Sequence, residues 1–384
     1  MKFKSVVIVH GSLETFGGAE KIIYQLAEDL IKKGIRLDII TYSVSKKIKA
    51  QFEQVNCKII TLDIPLININ DTKWFSLMYL GWKIRGMLVG YDVINVHNFP
   101  ATIWLGYASK FGKYRIPPIV WSCHEPPRSL YDNYGLNRTK KLDSLIKLDF
   151  KSVMGFKSIV CNSYFTESCV KKYYKKDAKV KHFGISIDSK IINSKVVKPE
   201  EIVFGTVSRL EFVKNIDFIL KSLAKFKQSY PEIKFRYEIV GVGADEARLL
   251  NLVDKLDLQD SVSFLGFVSN DIIIDCYKRW KFVVYCPFNE PMGLIPLEAA
   301  QYNTPTIGSN QGGVLETVLN KKTGLLVDPL NIDALVKALK CLIEDSAYCR
   351  KLGEASLKHV IKNFNFKLTV DFMLQEFNFA VLES

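Results

Sequence analysis

Short, nearly continuous apolar runs recur along the chain, each followed by a longer stretch in which apolar positions return at helical spacing. In the first half the runs fall at 5–10, 36–42, 57–62, 92–97, 118–123, 158–162 and 179–184; in the second half they fall at 202–208, 234–240, 261–266, 281–286, 304–308 and 323–327. Continuous rather than alternating apolar character predicts strands buried on both faces, as in parallel sheets covered by helices. The pattern occurs twice, with the polar segment 188–201 between the two sets. The chain therefore reads as α/β, with two Rossmann-like, doubly wound parallel-sheet domains facing a cleft. Ligands of such sheets bind beyond the carboxyl ends of the strands, so the residues just after each strand are the candidates for chemistry.

Composition changes this picture little and charge changes it more. With 384 residues, 48% of them hydrophobic and 24% charged, the chain is ordinary globular material for about two domains. The opening MKFKSVVIVHG lacks a signal-peptide pattern, and the most apolar stretch, 74–90, is broken by Lys83 and Arg85. A cytoplasmic protein is expected. The eight cysteines form no CxxC pair and read as buried thiols rather than disulfides or a zinc site. Residues 1–200 hold 32 Lys and Arg against 17 Asp and Glu, whereas residues 201–384 hold 21 against 23. The basic first half predicts an anionic partner, either nucleic acid or a membrane leaflet.

The strand ends carry the chemistry. After the run at 202–208 comes SRLEFVKN, which places Arg209 and Lys214 ahead of a helix opening near Asn215; two cations there can neutralise a diphosphate without a metal. After 281–286 comes FNEPMGLIPLE. Pro291 and Pro296 suit a first helical turn, and Gly293 admits a ligand to the backbone. The amides of Met292, Gly293, Leu294 and Ile295 then lack helical acceptors and form an anion site. A carboxylate beside a phosphate site serves neutral groups, so Glu290 is assigned to sugar hydroxyls and Glu298 to the hydroxyls of a ribose. The stretch reads as a nucleotide-sugar clamp. After the first run, Gly17 and Gly18 precede a helix near Ala19 and permit close approach of a ligand. His124 ends the run at 118–123 and suits proton transfer or hydrogen bonding to a sugar. His10 and His97 are weaker candidates of the same kind, and His182 and His359 read as structural. The GVG at 241–243 lacks the third glycine of a dinucleotide fingerprint.

Together these residues resemble the retaining glycosyltransferases of family four, which have the GT-B fold. The match rests on the Glu-x7-Glu pair Glu290 and Glu298, on SRLEFVKN at 208–215 and on GGAE at 17–20; FGISID at 183–188, GSNQGGVLETV at 308–318 and TGLLVD at 323–328 resemble further family loops. Pro-Met follows Glu290 where the family usually has Gly-Phe or Pro-Phe. The resemblance implies an acceptor-binding domain at 1–190, a donor-binding domain at 191–363 and a helix at 364–384 crossing back to the first. It implies a metal-independent, cofactor-free hexosyltransferase that retains anomeric configuration. Arg209 and Lys214 would hold the donor diphosphate, Glu290 the sugar and Glu298 the ribose. Gly17 and Gly18 would line the cleft, and His124 would take the family's cleft-histidine position. A GDP- or UDP-sugar is the expected donor, mannose the first guess for the sugar, and a lipid-linked, polysaccharide or lipopolysaccharide glycan the expected acceptor. The stretch 138–157, with Leu142, Leu145, Ile146 and Val153 at helical spacing among lysines and Asp149 interrupting them, suggests peripheral contact with an anionic membrane. A GT-B nucleotide-sugar epimerase and a basic nucleic-acid-binding protein are the competing readings; no nucleic-acid motif supports the latter, and no nucleic-acid partner is expected.

Overall fold

The computed structural model describes residues 1–62, 74–110, 115–129, 139–187 and 198–384. The chain divides into two compact units, one of residues 1–183 together with 366–384, the other of residues 184–365. Most of the polar segment read as a linker, 188–197, lies outside the described residues.

In the first unit the described strands are β1 (Ser5–His10), β2 (Arg36–Thr41), β3 (Lys58–Thr61), β4 (Val93–Val96), β5 (Ile119–Cys123), β6 (Ser158–Cys161) and β7 (Lys179–Val180). They form one parallel sheet in the order β3-β2-β1-β4-β5-β6-β7. Every residue of β1, β4 and β5 is buried, which is why their sequences are apolar without alternation. The helix Gly18–Lys32 shows the complementary pattern: Ile22, Ile23, Leu26, Ala27 and Leu30 are buried, a stripe three to four residues apart. The helix Phe366–Leu382 completes this unit. Phe377 is fully buried and meets Phe3 edge to face at 5.8 Å, and Glu376 accepts from Ser158 and Lys179.

In the second unit β8 (Val203–Val207), β9 (Arg236–Val240), β10 (Val262–Gly266), β11 (Val283–Tyr285), β12 (Thr306–Ser309) and β13 (Gly324–Val327) form a parallel sheet in the order β10-β9-β8-β11-β12-β13. All thirteen expected runs thus contain a strand; β1 matches its run, β12 reaches one residue beyond its run, and the others are shorter than theirs. In both sheets the strand order reverses direction once, between β1 and β4 in the first and between β8 and β11 in the second. At such a reversal the flanking loops splay to opposite sides and leave room beyond the strand ends.

The helix Lys140–Val153 departs from the membrane expectation. Leu145 and Val153 belong to the core of the first unit, so its apolar side is already occupied within the fold. Arg138 and the side chain of Leu142 lie outside what is described. Asp149 is also buried, where it accepts from Thr102 and Tyr174, which explains a carboxylate within an apolar stripe. Burial pushes its carboxyl up to about 6, against those two hydrogen bonds. Of the cysteines, all free, Cys341 is exposed and the other seven are buried. Cys341 lies on the helix Ile332–Glu344 and departs from the expectation of a fully buried set. Among the described residues no helix is long and apolar enough to cross a membrane.

Candidate functional site

The second unit gathers its candidates at the β8–β11 reversal. Beyond β8 the chain makes one tight turn, Phe212–Lys214, and then enters the helix Ile216–Ser229 through Asn215. Asn215 has a left-handed φ of 57° and is buried. Its Nδ2 donates to the carbonyl of Cys286 at 3.1 Å and to that of Pro329 at 3.0 Å, so one amide ties the loop after β8 to the ends of β11 and β13. The amide of Phe288 donates to the carbonyl of Val213 at 2.9 Å and closes the same seam. With the loops pinned, Lys214 Nζ lies 2.6 Å from Glu290 Oε2. Arg209 is not drawn into this pair; its side chain is 73% exposed and meets Glu211 at 2.7 Å.

The helix after β11 starts later than expected. It spans Leu294–Ala300, with Gly293 at its N-cap at a φ of 83°. Pro296 stands in the first turn, but Pro291 belongs to the preceding bend, because the positive φ of Gly293 breaks the backbone between them. Met292 and Gly293 therefore precede the helix, and Leu294 and Ile295 are its first two residues, whose amides have no acceptor inside the helix. Glu298 lies further along, where Tyr277 donates to its Oε2 at 3.1 Å. Two glycines of the segment 308–318, to which the sequence alone assigns no site role, shape this loop. The amide of Gly313 donates to the carbonyl of Glu290 at 2.7 Å, and a Cβ on Gly312 would stand 2.4 Å from that carbonyl. The GG pair was visible in the sequence, but only its partner shows why it is there.

The GVG segment has a similar explanation. A Cβ on Gly241 would come within 1.9 Å of the Ser208 carbonyl, and one on Gly243 within 2.2 Å of the Leu210 carbonyl. The two loops are hydrogen-bonded, Leu210 N to Val242 O at 3.0 Å. These glycines bring backbone against backbone beside Arg209 and carry no dinucleotide signature.

In the first unit three histidines end neighbouring strands around the β1–β4 reversal. His10 closes β1, His97 follows β4 and His124 follows β5. The helix expected near Ala19 begins at Gly18, with Gly17 as its N-cap. Glu20 reaches back to accept from the Gly17 amide at 2.9 Å and meets His10 Nε2 at 3.1 Å. Burial works to raise its carboxyl, but His10 and these hydrogen bonds hold it below the usual range. Glu20 closes the GGAE segment, and its link to His10 is a tertiary contact that the local sequence does not reveal. His124 is buried, lies against Phe183, and bonds through Nε2 to His97 Nδ1 at 2.9 Å. Burial, helped by His10 and opposed by Glu20, lowers His124 to about 4; burial lowers His97 well below 6.5. Both rings are neutral near pH 7. Among the described residues no group of three His, Cys, Asp or Glu is arranged to hold a metal ion.

Residues 188–359 match the family model described as Glycosyl transferases group 1, and residues 16–188 match that described as Glycosyltransferase Family 4. D-inositol 3-phosphate glycosyltransferase from Rhodococcus jostii is 30% identical over 189 residues, which is 48% of this chain and 42% of that protein, so the match spans less than half of that relative. Alpha-1,3/1,6-mannosyltransferase ALG2 from Mus musculus is 24% identical over 413 residues, covering 97% of this chain and 95% of that one. Among solved structures, sucrose-phosphate synthase from Thermosynechococcus elongatus superposes with a TM-score of 0.79 at 20% identity, over 99% of this chain and 100% of that one. Anabaena HepE in complex with UDP-glucose superposes with a TM-score of 0.75 at 17% identity, over 97% of this chain and 98% of that one. At these identities the structural likeness is one of fold.

Proposed function

Because the chain belongs to the family four glycosyltransferases, with a GT-B fold of two parallel-sheet Rossmann-like units, we propose that it moves a hexosyl group from a nucleotide-diphosphate sugar to a hydroxyl of a glycan acceptor, with retention of configuration and without a metal or other cofactor. The observation that carries this reading is the Lys214–Glu290 pair at 2.6 Å, beside the helix that bears Glu298. A bound diphosphate takes over Lys214, and Glu290 is released to the sugar hydroxyls. Arg209, mobile enough at its exposed position to leave Glu211, adds the second cation, and the amides of Met292, Gly293, Leu294 and Ile295 face the same phosphates. Glu298, oriented by Tyr277, accepts from the ribose. Gly17 and Gly18, at the start of the helix Gly18–Lys32, let a ligand of the first unit approach that backbone.

In the transfer, the bond between the anomeric carbon and the β-phosphate oxygen breaks, and the electron pair leaves with the phosphate. Lys214, Arg209 and the amides stabilise that charge as it develops. The acceptor oxygen bonds to the anomeric carbon and its proton passes to the departing phosphate. The first unit holds the acceptor, and His124 engages a sugar hydroxyl. GDP-mannose is the first choice of donor, its mannose supported by the name of the ALG2 relative; the UDP-glucose complex of HepE makes a UDP-sugar the alternative. A lipid-linked or polysaccharide acceptor, with the basic first unit resting on an anionic cytoplasmic leaflet, is supported by the excess of 32 Lys and Arg over 17 Asp and Glu in residues 1–200.

A thermal-shift panel of UDP-, GDP- and ADP-sugars in EDTA, on wild type and Glu298→Ala, tests the reading. One nucleotide class stabilising the wild type, and the variant much less, is the expected result. No shift from any of them on folded protein would overturn it.

A further inference from the structure

The hydrogen bonds around His124 have a direction. It starts at the Val120 carbonyl, which only accepts. Asn95 Nδ2 lies 3.1 Å from that oxygen and 3.0 Å from Ser122 Oγ, so the amide NH2 points toward β5. Asn95 Oδ1 is thereby turned to His97 Nε2 at 2.9 Å, and since Oδ1 only accepts, that nitrogen carries a hydrogen. A second proton on His97 is opposed from every side. The ring is fully buried; the titratable groups facing it are His124, stacked at 5.1 Å, and His10, edge-on at 6.3 Å, while Glu20 is spent on His10. His97 is therefore neutral, its Nδ1 carries a lone pair, and His124 Nε2, 2.9 Å away, is the donor. A neutral His124 with its hydrogen on Nε2 keeps a bare lone pair on Nδ1, to which no described residue donates.

We propose that Asn95 and His97 are positioning residues that lock His124 in the Nε2–H form, so that its Nδ1 is a fixed acceptor for a substrate hydroxyl. The hydroxyl rests on the glycosyltransferase reading; the tautomer does not. The role this gives His124 is narrower than proton transfer. Its lone pair holds a hydroxyl hydrogen in place, and the proton lost by the acceptor in the transfer step goes to the leaving phosphate. Sugars are recognised well by such a one-way acceptor, because a hydroxyl whose hydrogen is committed has its own lone pairs free for a second donor.

The test is the ring-nitrogen spectrum of histidine-labelled protein, which has five histidines in all. His97→Gln and His124→Gln provide the assignments. In wild type near pH 7, His97 and His124 are both expected with a protonated Nε2 and an unprotonated Nδ1. Asn95→Asp reverses the chain: a carboxylate stabilises a doubly protonated His97, whose Nδ1–H donates to His124 Nε2, and the His124 hydrogen moves to Nδ1. A wild-type His124 protonated on Nδ1 overturns the proposal without any variant having to fold, and so does a folded Asn95→Asp protein whose His124 signals match wild type. UDP-glucose, GDP-mannose and the methyl glycosides of glucose and mannose are then added as probes. If the His124 Nδ1 signal stays in place with all of them, the hydroxyl contact is overturned. If neither nucleotide sugar raises the melting temperature and the tautomers are as stated, the positioning chain stands and the transferase reading falls.

Discussion

Lys214 Nζ and Glu290 Oε2 stand 2.6 Å apart, bridging the loops that follow two adjacent strands. Their side chains are 14% and 17% exposed, so the pair is shielded enough to have a defined geometry while still open to a ligand. Replacing Lys214 by Met removes a cation from the departing phosphate, and kcat/KM is expected to fall about 100-fold. Glu290→Gln is expected to cost a similar factor through the sugar. Because binding has to part the two side chains and each single variant already removes that cost, the double variant should lose more than the product of the single losses. Rates for the four proteins decide this; full multiplicativity would show the pair to be two independent surface charges.

Tyr277 donates to Glu298 at 3.1 Å and is itself completely buried. Tyr277→Phe removes one hydrogen bond that orients the carboxylate. A loss of about 1 kcal/mol in nucleotide-sugar affinity is expected, roughly fivefold in Kd. Glu298→Ala should lose more than that. Calorimetric titration of both variants checks the order of the two effects, and equal losses would mean that Tyr277 does all of the binding attributed to Glu298.

Gly243→Ala forces a Cβ to within 2.2 Å of the Leu210 carbonyl, where only backbone can yield. About 1–3 kcal/mol of destabilisation is expected, several degrees in Tm for a unit of this size. Gly86→Ala is the control, since nothing lies within 4 Å of the added carbon and alanine favours the helix. A Gly243→Ala protein that melts with wild type would show that the two loops can part without cost.

Acid should weaken the fold before it reaches the range of ordinary carboxylates. His124 stays neutral in the folded state down to about 4, and burial holds His97 well below 6.5 as well, while the unfolded chain protonates both near 6.5. Between those values the unfolded state binds more protons, so stability falls as pH drops from 6.5 toward 4. Asp149 opposes this: its folded value near 6 lies above the ordinary 3.8, so over that interval the folded state takes up the extra proton. Two histidines against one carboxylate leave a net loss on the order of 1 kcal/mol per pH unit. Urea titrations between pH 4 and 7 should show it. His124→Gln should flatten the slope and Asp149→Asn should steepen it; slopes indifferent to both would refute the assignment.

The fold was legible because parallel strands buried on both faces leave continuous apolar runs, and all thirteen of those runs proved to contain strands. The site was legible to the extent that strand ends could be read from the same runs. Lys214, Glu290 and His124 all follow a strand directly or lie one loop beyond it. What stayed hidden depends on neighbours distant in sequence. Asn215 gains its meaning from carbonyls 71 and 114 residues away, and Glu20 from a histidine on the adjoining strand. The helix Lys140–Val153 had the right spacing for a surface role, but spacing alone does not say whether an apolar stripe meets lipid or core. Asp149 had in its favour a buried threonine and tyrosine that no local pattern reveals.

The helix Phe366–Leu382 is part of the first unit although the whole second unit precedes it in the chain. A ribosome therefore makes residues 184–365, a contiguous unit, before it supplies the last piece of the unit it began with. Until then the seam that Phe377 fills beside Phe3 stays open, and Glu376 has not yet met Ser158 and Lys179. Completion of the first unit thus waits on the synthesis of residues 366–382, which follow the whole second unit in the chain.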